Sequence, residues 1–181
     1  MAVDATHVVT GECRFSYVTL NEPRSIDGSE PKYSVTLLIP KSDTATKARI
    51  DAAIELAKKK GMATKFNGKI PPILPTPLHD GDGARPSDGE EYGPECKGHW
   101  VMAVTSKNKP GVVDANRNPI INASDLYSGM YGRVAIDFYP YNTSKKGIGV
   151  SLANVQKLRD GEPLTNHTTV EDDFGDSDYD F

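Results

Sequence analysis

The chain is poor in cysteine and tryptophan, with two of the first and one of the second in 181 residues. Cys13 and Cys96 are too few and too far apart for the disulfide framework that holds small secreted domains together, and they read as reduced thiols. No apolar run approaches the roughly 18 residues of a membrane span, so no membrane association is expected. Met1 to His7 has neither a basic n-region nor an apolar h-region, so no secretory signal is expected and the chain is assigned to the cytoplasm. The Asn-x-Ser/Thr triplets at Asn122, Asn142 and Asn166 are then chance matches.

Enzyme signatures are also missing. There is no P-loop, no Gly-x-Ser-x-Gly elbow and no dinucleotide fingerprint. Asp80-Gly-Asp82-Gly starts like a calcium loop, but the position of the next oxygen ligand is Ala84. Cys96 and His99 have the spacing of half a zinc site, with no second pair nearby. No metal, no cofactor and no catalytic residue are therefore assigned. One enzymatic alternative stays open, a metal-dependent nuclease built on Asp80, Asp82 and Asp88. Loop acids between glycines are more often simply solvated.

What the chain does have is a polarised charge. The last eleven residues, 171–181, hold six acids, no base, and the aromatics Phe174, Tyr179 and Phe181. The whole chain is at −4, and residues 1–170 alone are at +2. A segment that repels itself and buries little apolar surface is expected to be disordered. The division is thus a folded domain over 1–170 and an acidic tail over 171–181. A mildly basic body with an acidic, aromatic-ended tail suggests a nucleic-acid binder that carries a competitor for its own groove. The plainer reading is a solubilising tail.

Period-two alternation predicts five strands, over 8–20, 32–39, 99–106, 131–141 and 147–154. In the first, Cys13, Phe15 and Tyr17 share one face and Arg14, Ser16 and Val18 the other. In the fourth, Val134, Ile136 and Phe138 oppose Arg133, Ala135, Asp137 and Tyr139. One helix is expected, capped by Ser42 or Asp43, with an apolar stripe of Ile50, Ala53, Ile54 and Ala57 and a stop at Gly61. Lys58, Lys59 and Lys60 read as cations at the negative helix end in preference to DNA contacts. Residues 68–98 contain six glycines and six prolines and keep no period, as expected of a long functional or disordered loop.

Aromatic and basic residues are interleaved along these strands. Single-strand binders need flat side chains on which unpaired bases stack and cations that follow phosphates. Phe15, Trp100 and Phe138 sit on apolar faces and are assigned to the core. Tyr139 and Tyr141 lie with Arg133 on a polar face and are assigned to a groove. Arg14, Lys32, Tyr33, Lys145 and Lys146 complete the candidate single-stranded DNA site.

Several blocks also carry a resemblance. They are Glu30-Pro-Lys-Tyr-Ser-Val-Thr-Leu-Leu-Ile-Pro-Lys41 before an Ala-rich helix, Gly68-Lys-Ile-Pro71, and Pro77-Leu-His-Asp-Gly-Asp82. Val113-Asp114, Tyr127-Ser-Gly-Met-Tyr-Gly-Arg133 and Asn154-Val-Gln-Lys-Leu-Arg-Asp-Gly-Glu-Pro-Leu164 follow in order. Together, over roughly residues 10–174, they resemble a family of bacteriophage single-stranded DNA-binding proteins with an OB-fold, formerly grouped as a domain of unknown function. The tail is similar to those of bacterial and phage single-strand binders. The resemblance implies a mainly β, five-stranded OB-fold-like barrel with one main helix and long loops. It further implies a non-enzymatic role in phage replication or recombination, in the host cytoplasm. The tail would recruit replication or recombination proteins through Asp178, Tyr179, Asp180 and Phe181. A homodimer and a protein-only adaptor that never touches DNA stay open. One departure is visible: an OB-fold places its helix after the third strand, and here it follows the second. Either two strands are merged within 8–20 or 21–39, or the barrel is decorated.

Overall fold

A computed structural model of the chain describes residues 6–25, 30–85, 89–142 and 145–164. Asp88, the boundary at 170/171, and the tail residues Asp178, Tyr179, Asp180 and Phe181 lie outside the described residues. The elements are β1 (His7–Val9), β2 (Cys13–Arg24), β3 (Lys32–Pro40), α1 (Thr44–Thr64), β4 (His79–Asp80), β5 (His99–Ser106), β6 (Gly111–Val113), β7 (Tyr131–Asn142) and β8 (Lys146–Arg159). Strand β2 pairs with β3, β3 with β5, β5 with β8, β8 with β7, and β7 returns to β2. Only the β5–β8 contact in this ring is parallel. The result is the expected five-stranded OB-like barrel, extended by β1 on β7, β6 on β8 and β4 on β5.

The first expected strand is in fact two. It breaks at Gly11, and β1 pairs with β7 while β2 pairs with β3. Two strands were merged in 8–20, but that does not move the helix. α1 still lies between the second and third strands of the ring, so the barrel is decorated as well.

Alternation puts Cys13 and Phe15, Val35, Leu37 and Ile39, Met102 and Val104, and Val134, Ile136 and Phe138 into one core. Helix residues Ile50, Ala53, Ile54 and Ala57 join them from one side. Burying each large side chain contributes about 1.5–3 kcal/mol.

Asp43 caps the helix. Its Oδ1 accepts from Thr46 N at 3.1 Å and its Oδ2 from Thr46 Oγ1 at 2.6 Å. Thr46 Oγ1 in turn accepts from Gly11 N at 2.9 Å, which ties the helix start to the turn between β1 and β2. The bonds from Thr46 hold the Asp43 carboxyl below the usual carboxylate range. Gly61 is not the stop. The helix continues to Thr64, and Gly61 is buried because Phe66 and Pro140 sit where a side chain would be. Lys58, Lys59 and Lys60 therefore precede the last turn, and Lys58 pairs with Glu55 at 3.0 Å.

Asp43→Ala should lower stability by about 1 kcal/mol, the usual cost of losing such a cap. A carboxyl held low in the fold stabilises above its unfolded pKa of about 4 and loses that contribution as pH falls through its folded value. The gap between wild type and variant in chemical denaturation should thus shrink on acidification from pH 7 to about pH 3. A constant gap would show that the cap bond does not depend on the charge.

Candidate nucleic-acid interface

Residues opposite in phase to the core face outward. Cross-strand register lines some of them up: Ser16 with Thr36, Thr36 with Ala103, Thr105 with Ser151, and Gly149 with Tyr139. Most are small, so the outside of the ring carries a shallow strip crossing β2, β3, β5, β8 and β7.

Aromatic rings stand on its first and last strands, β2 and β7. β2 loses register between Ser16 and Thr19. Tyr17 sits in that irregularity with φ +48° and is 74% exposed. A bulky residue in the left-handed region is uncommon and costs of order 1–3 kcal/mol, and bulges re-aim side chains. Alternation alone would point Tyr17 into the core beside Phe15; the irregularity turns it out to solvent. On β7, the Tyr139 and Tyr141 ring centroids are 6.4 Å apart, with planes inclined by 56°. They lie over Gly149 and Gly147, where any β-carbon would strike the rings. The bare glycines let both rings approach β8 closely, with Lys145 and Lys146 just beyond at the hairpin.

Residues 79–85 and 89–98 form a wall over β3 and β5. Beneath it is a cleft of about 290 Å³, lined among others by Tyr17, Thr36, Leu38, Arg85, Tyr92 and Val101. His79 also lines it, and burial holds its imidazole below the ordinary range and neutral at pH 7. Lys41 fastens the loop's base. Its Nζ donates to Asp80 Oδ1 at 2.6 Å and to Asp82 Oδ2 at 2.7 Å. Hydrogen bonds from this ammonium hold both carboxyls below their usual range. Backbone bonds from Gly81 N to His99 O (2.9 Å) and Lys41 N to Gly98 O (3.0 Å) complete the anchor. Two carboxylates of the candidate nuclease loop are therefore both engaged by one lysine, which offsets one of their two charges. Cys96 is buried with Leu38 and Val101, and His99 Nδ1 is 2.8 Å from Lys97 O, so this pair serves the loop too.

The residues assigned to DNA from sequence fall in several places. Tyr139, Tyr141, Lys145 and Lys146 stand together at the β7–β8 hairpin. Lys32 is exposed at the start of β3, and Tyr33 beside it is half-buried in the core-facing phase. Arg133 is exposed on β7, with its Nε donating to Gln156 Oε1 at 2.6 Å. Arg14 faces out, but its guanidinium turns back onto the Gly129 and Glu162 carbonyls at 3.3 and 2.6 Å. Phe15 and Phe138 are buried. Trp100 is half-buried at the helix side, not enclosed, with the Lys41 and Lys47 ammoniums 4.8 and 4.7 Å from its ring centroid. Tyr17, Arg85 and Tyr92 were missed; the first is out of phase with its strand, and the others lie in the loop without periodicity.

Comparison with known proteins agrees with this architecture. The model of a family described as the single-stranded DNA-binding protein of Enterobacter phage Enc34 matches residues 6–181. Protein p50 of Acyrthosiphon pisum secondary endosymbiont phage 1 is 33% identical over 160 residues, covering 84% of this chain and 83% of its own. The solved Enc34 single-stranded DNA-binding protein in complex with ssDNA is 32% identical, with a TM-score of 0.76 over 90% of this chain and 91% of its own. The gp2.5 single-stranded DNA-binding protein of bacteriophage T7 shares the fold, at 16% identity and a TM-score of 0.59 over 97% of this chain and 96% of its own.

Lys41→Met should loosen the wall without unfolding the barrel, because the pairs it breaks are solvent-exposed. Limited proteolysis should cut within 79–98 faster than in wild type, at a nearly unchanged thermal midpoint. Equal cleavage rates would mean that the backbone bonds hold the loop without the lysine.

Proposed function

The chain belongs to the phage single-stranded DNA-binding protein family of Enterobacter phage Enc34, and on that premise we propose that it coats single-stranded DNA along the outer strip during phage replication or recombination. The observation that carries this reading is the strip itself, with Tyr17 on β2 and Tyr139 and Tyr141 on β7. Each ring offers a surface to any base, and base stacking is worth about 1–3 kcal/mol without a sequence-specific bond. The small side chains between them let the strand lie close to the barrel. Lys32, Lys145 and Lys146 flank the path and follow phosphates. A body charge of +2 neutralises few phosphates, so stacking supplies much of the energy and single strands are preferred over duplex.

Binding in this reading involves no chemistry. A nuclease would need Asp80 and Asp82 for a metal, and Lys41 holds both. The acidic tail 171–181 resembles a short phosphate run with stackable rings. It competes for the site when DNA is absent and, once displaced, recruits replication or recombination proteins through Asp178, Tyr179, Asp180 and Phe181.

Tyr17→Ala and Tyr139→Ala should each weaken binding of an oligothymidylate by about 1–3 kcal/mol, at a thermal midpoint close to wild type. The same titration with magnesium should leave the oligonucleotide intact. Normal binding by both variants would remove the strip from consideration, and fragments would revive the nuclease. Phe181→Ala should leave DNA binding almost unchanged and weaken capture of a replication partner, since a terminal aromatic is a natural anchor for a pocket. Undiminished capture would place the recruiting contact elsewhere in the tail.

A further inference from the structure

The wall over β3 and β5 is shaped by short-range backbone contacts. At its base, Gly81 lies so close to the Cys96 and His99 carbonyls that a β-carbon there would strike both. Farther out, Ala84 bridges to Glu91 and Arg85 N donates to Glu90 O at 2.7 Å. The segment thus doubles back, and both Arg85 and Tyr92 reach the cleft. A single 3-10 turn follows over Pro94–Cys96, closed by Cys96 N on Gly93 O at 3.0 Å. It sets Cys96 beside Leu38 and Val101, and Tyr92 packs on all three. Contacts within the protein hold the wall, so the cleft is preformed.

The lining sorts by chemistry. The floor is apolar: Leu38 is fully buried, and Val101 and Cys96 are nearly so. Ser16, Thr36 and His79 add polar groups to it. Among the described residues, none of these three side chains gives its polar group to a protein partner, although Ser16 is only 6% exposed. The neutral His79 ring has one donor and one acceptor nitrogen. Two aromatic rings join the lining, Tyr17 from β2 and Tyr92 from the wall. Ser16, Thr36 and Ala103 belong to the outer strip as well, so the cleft opens onto the path proposed for DNA.

A phosphate would lose hydration over the apolar floor and would meet the Glu95 carboxylate, which also lines the cleft. A nucleobase is flat and uncharged and carries donors and acceptors on its edge. A volume of about 290 Å³ is at the small end of ligand clefts, room for one base and not for a length of strand. We propose that the cleft is a base pocket: one base of the bound strand leaves the stack, lies against Tyr92 on the apolar floor, and turns its edge to Ser16, Thr36 and His79. The proposal rests on the strip as the DNA path. It goes beyond that reading by dividing the bound bases into those that stack on open rings and one that is enclosed. Hydroxyls rotate, and a neutral imidazole both donates and accepts, so the pocket takes the edge of any base and does not fix the sequence.

The test places photoreactive iodouracil at successive positions of an oligothymidylate, maps the cross-linked residues, and measures affinity at one salt concentration. Cross-links should form at Tyr92 or His79 as well as on the strip rings. Ala103 faces outward at the cleft, so Ala103→Phe fills it without disturbing the core or removing a cation. This variant should lose the Tyr92 and His79 cross-links and bind on the order of tenfold more weakly, within the range for one stacked base, at an unchanged thermal midpoint. Tyr92→Phe keeps the stacking face and should bind like wild type, whereas Tyr92→Leu should be weakened like Ala103→Phe. Tyr139→Ala should bind more weakly yet keep the cleft cross-links. Cross-links confined to Tyr17, Tyr139 and Tyr141, with normal binding by Ala103→Phe, would leave the strip standing and remove the pocket, and the cleft would fall to an aromatic side chain of a protein partner. Weaker binding by Ala103→Phe without wild-type cross-links at Tyr92 or His79 would mean that the new ring obstructs the strip, and would equally overturn the pocket. No cross-link on the strip rings or in the cleft would remove both.

Discussion

The barrel closes where Phe15 lies against Gly132. Only two residue pairs join β2 to β7, Cys13 with Gly132 and Arg14 with Tyr131. Phe15 is fully buried, and a β-carbon at position 132 would fall 2.9 Å from two atoms of its ring. A side chain there would push β7 off β2 and open the ring. The same closure brings the segment before β7 onto β2, where Phe15 N donates to Met130 O and Gly129 N to Phe15 O, at 2.9 and 2.7 Å. The outer strip and the surface that receives residues 160–164 both follow from this one approach of two backbones.

How much of this is legible in the sequence depends on range. Val35, Leu37 and Ile39, or Val134, Ile136 and Phe138, alternate cleanly because each strand buries one face, so the ring strands can be read directly. Tyr139 and Tyr141 are legible as outward-facing for the same reason. Strands β4 and β6 have two and three residues and are too short to show a period. Gly61 looks like a helix stop because glycine usually is one; the contact with Phe66 and Pro140 that makes it an interior residue is tertiary. Tyr17 is misread because alternation assumes an unbroken ladder, and one irregularity reverses its direction. Arg14 is correctly placed on the outside, but its acceptors at Gly129 and Glu162 come from residues 115 and 148 positions away. Two of the blocks that resemble the phage family, 127–133 and 154–164, are the two that meet there, which gives their glycines and Tyr127 a packing reason.

Electrostatics bear on the proposed competition between the tail and DNA. Several of the body's lysines are committed: Lys41 to Asp80 and Asp82, Lys47 to Asp51, Lys58 to Glu55 and Lys157 to Asp160. Their charge is offset locally and the body as a whole stands at only +2, so on the proposed reading the salt dependence of DNA binding is shallow and stacking supplies much of the energy. If the tail competes for the site as proposed, that composition makes a short acidic segment an effective rival. Against a strongly basic groove six acids would be outbid by a long polyanion; against a body at +2 the proposed competition is more even. In that proposal tail and DNA draw on the same two sources of energy, the rings and the cations. Added salt weakens both together, and part of what DNA loses by screening it regains from a competitor that is screened as well. On this reading the tail is also a salt buffer, flattening the response of the full-length protein to ionic strength below that of its folded body alone.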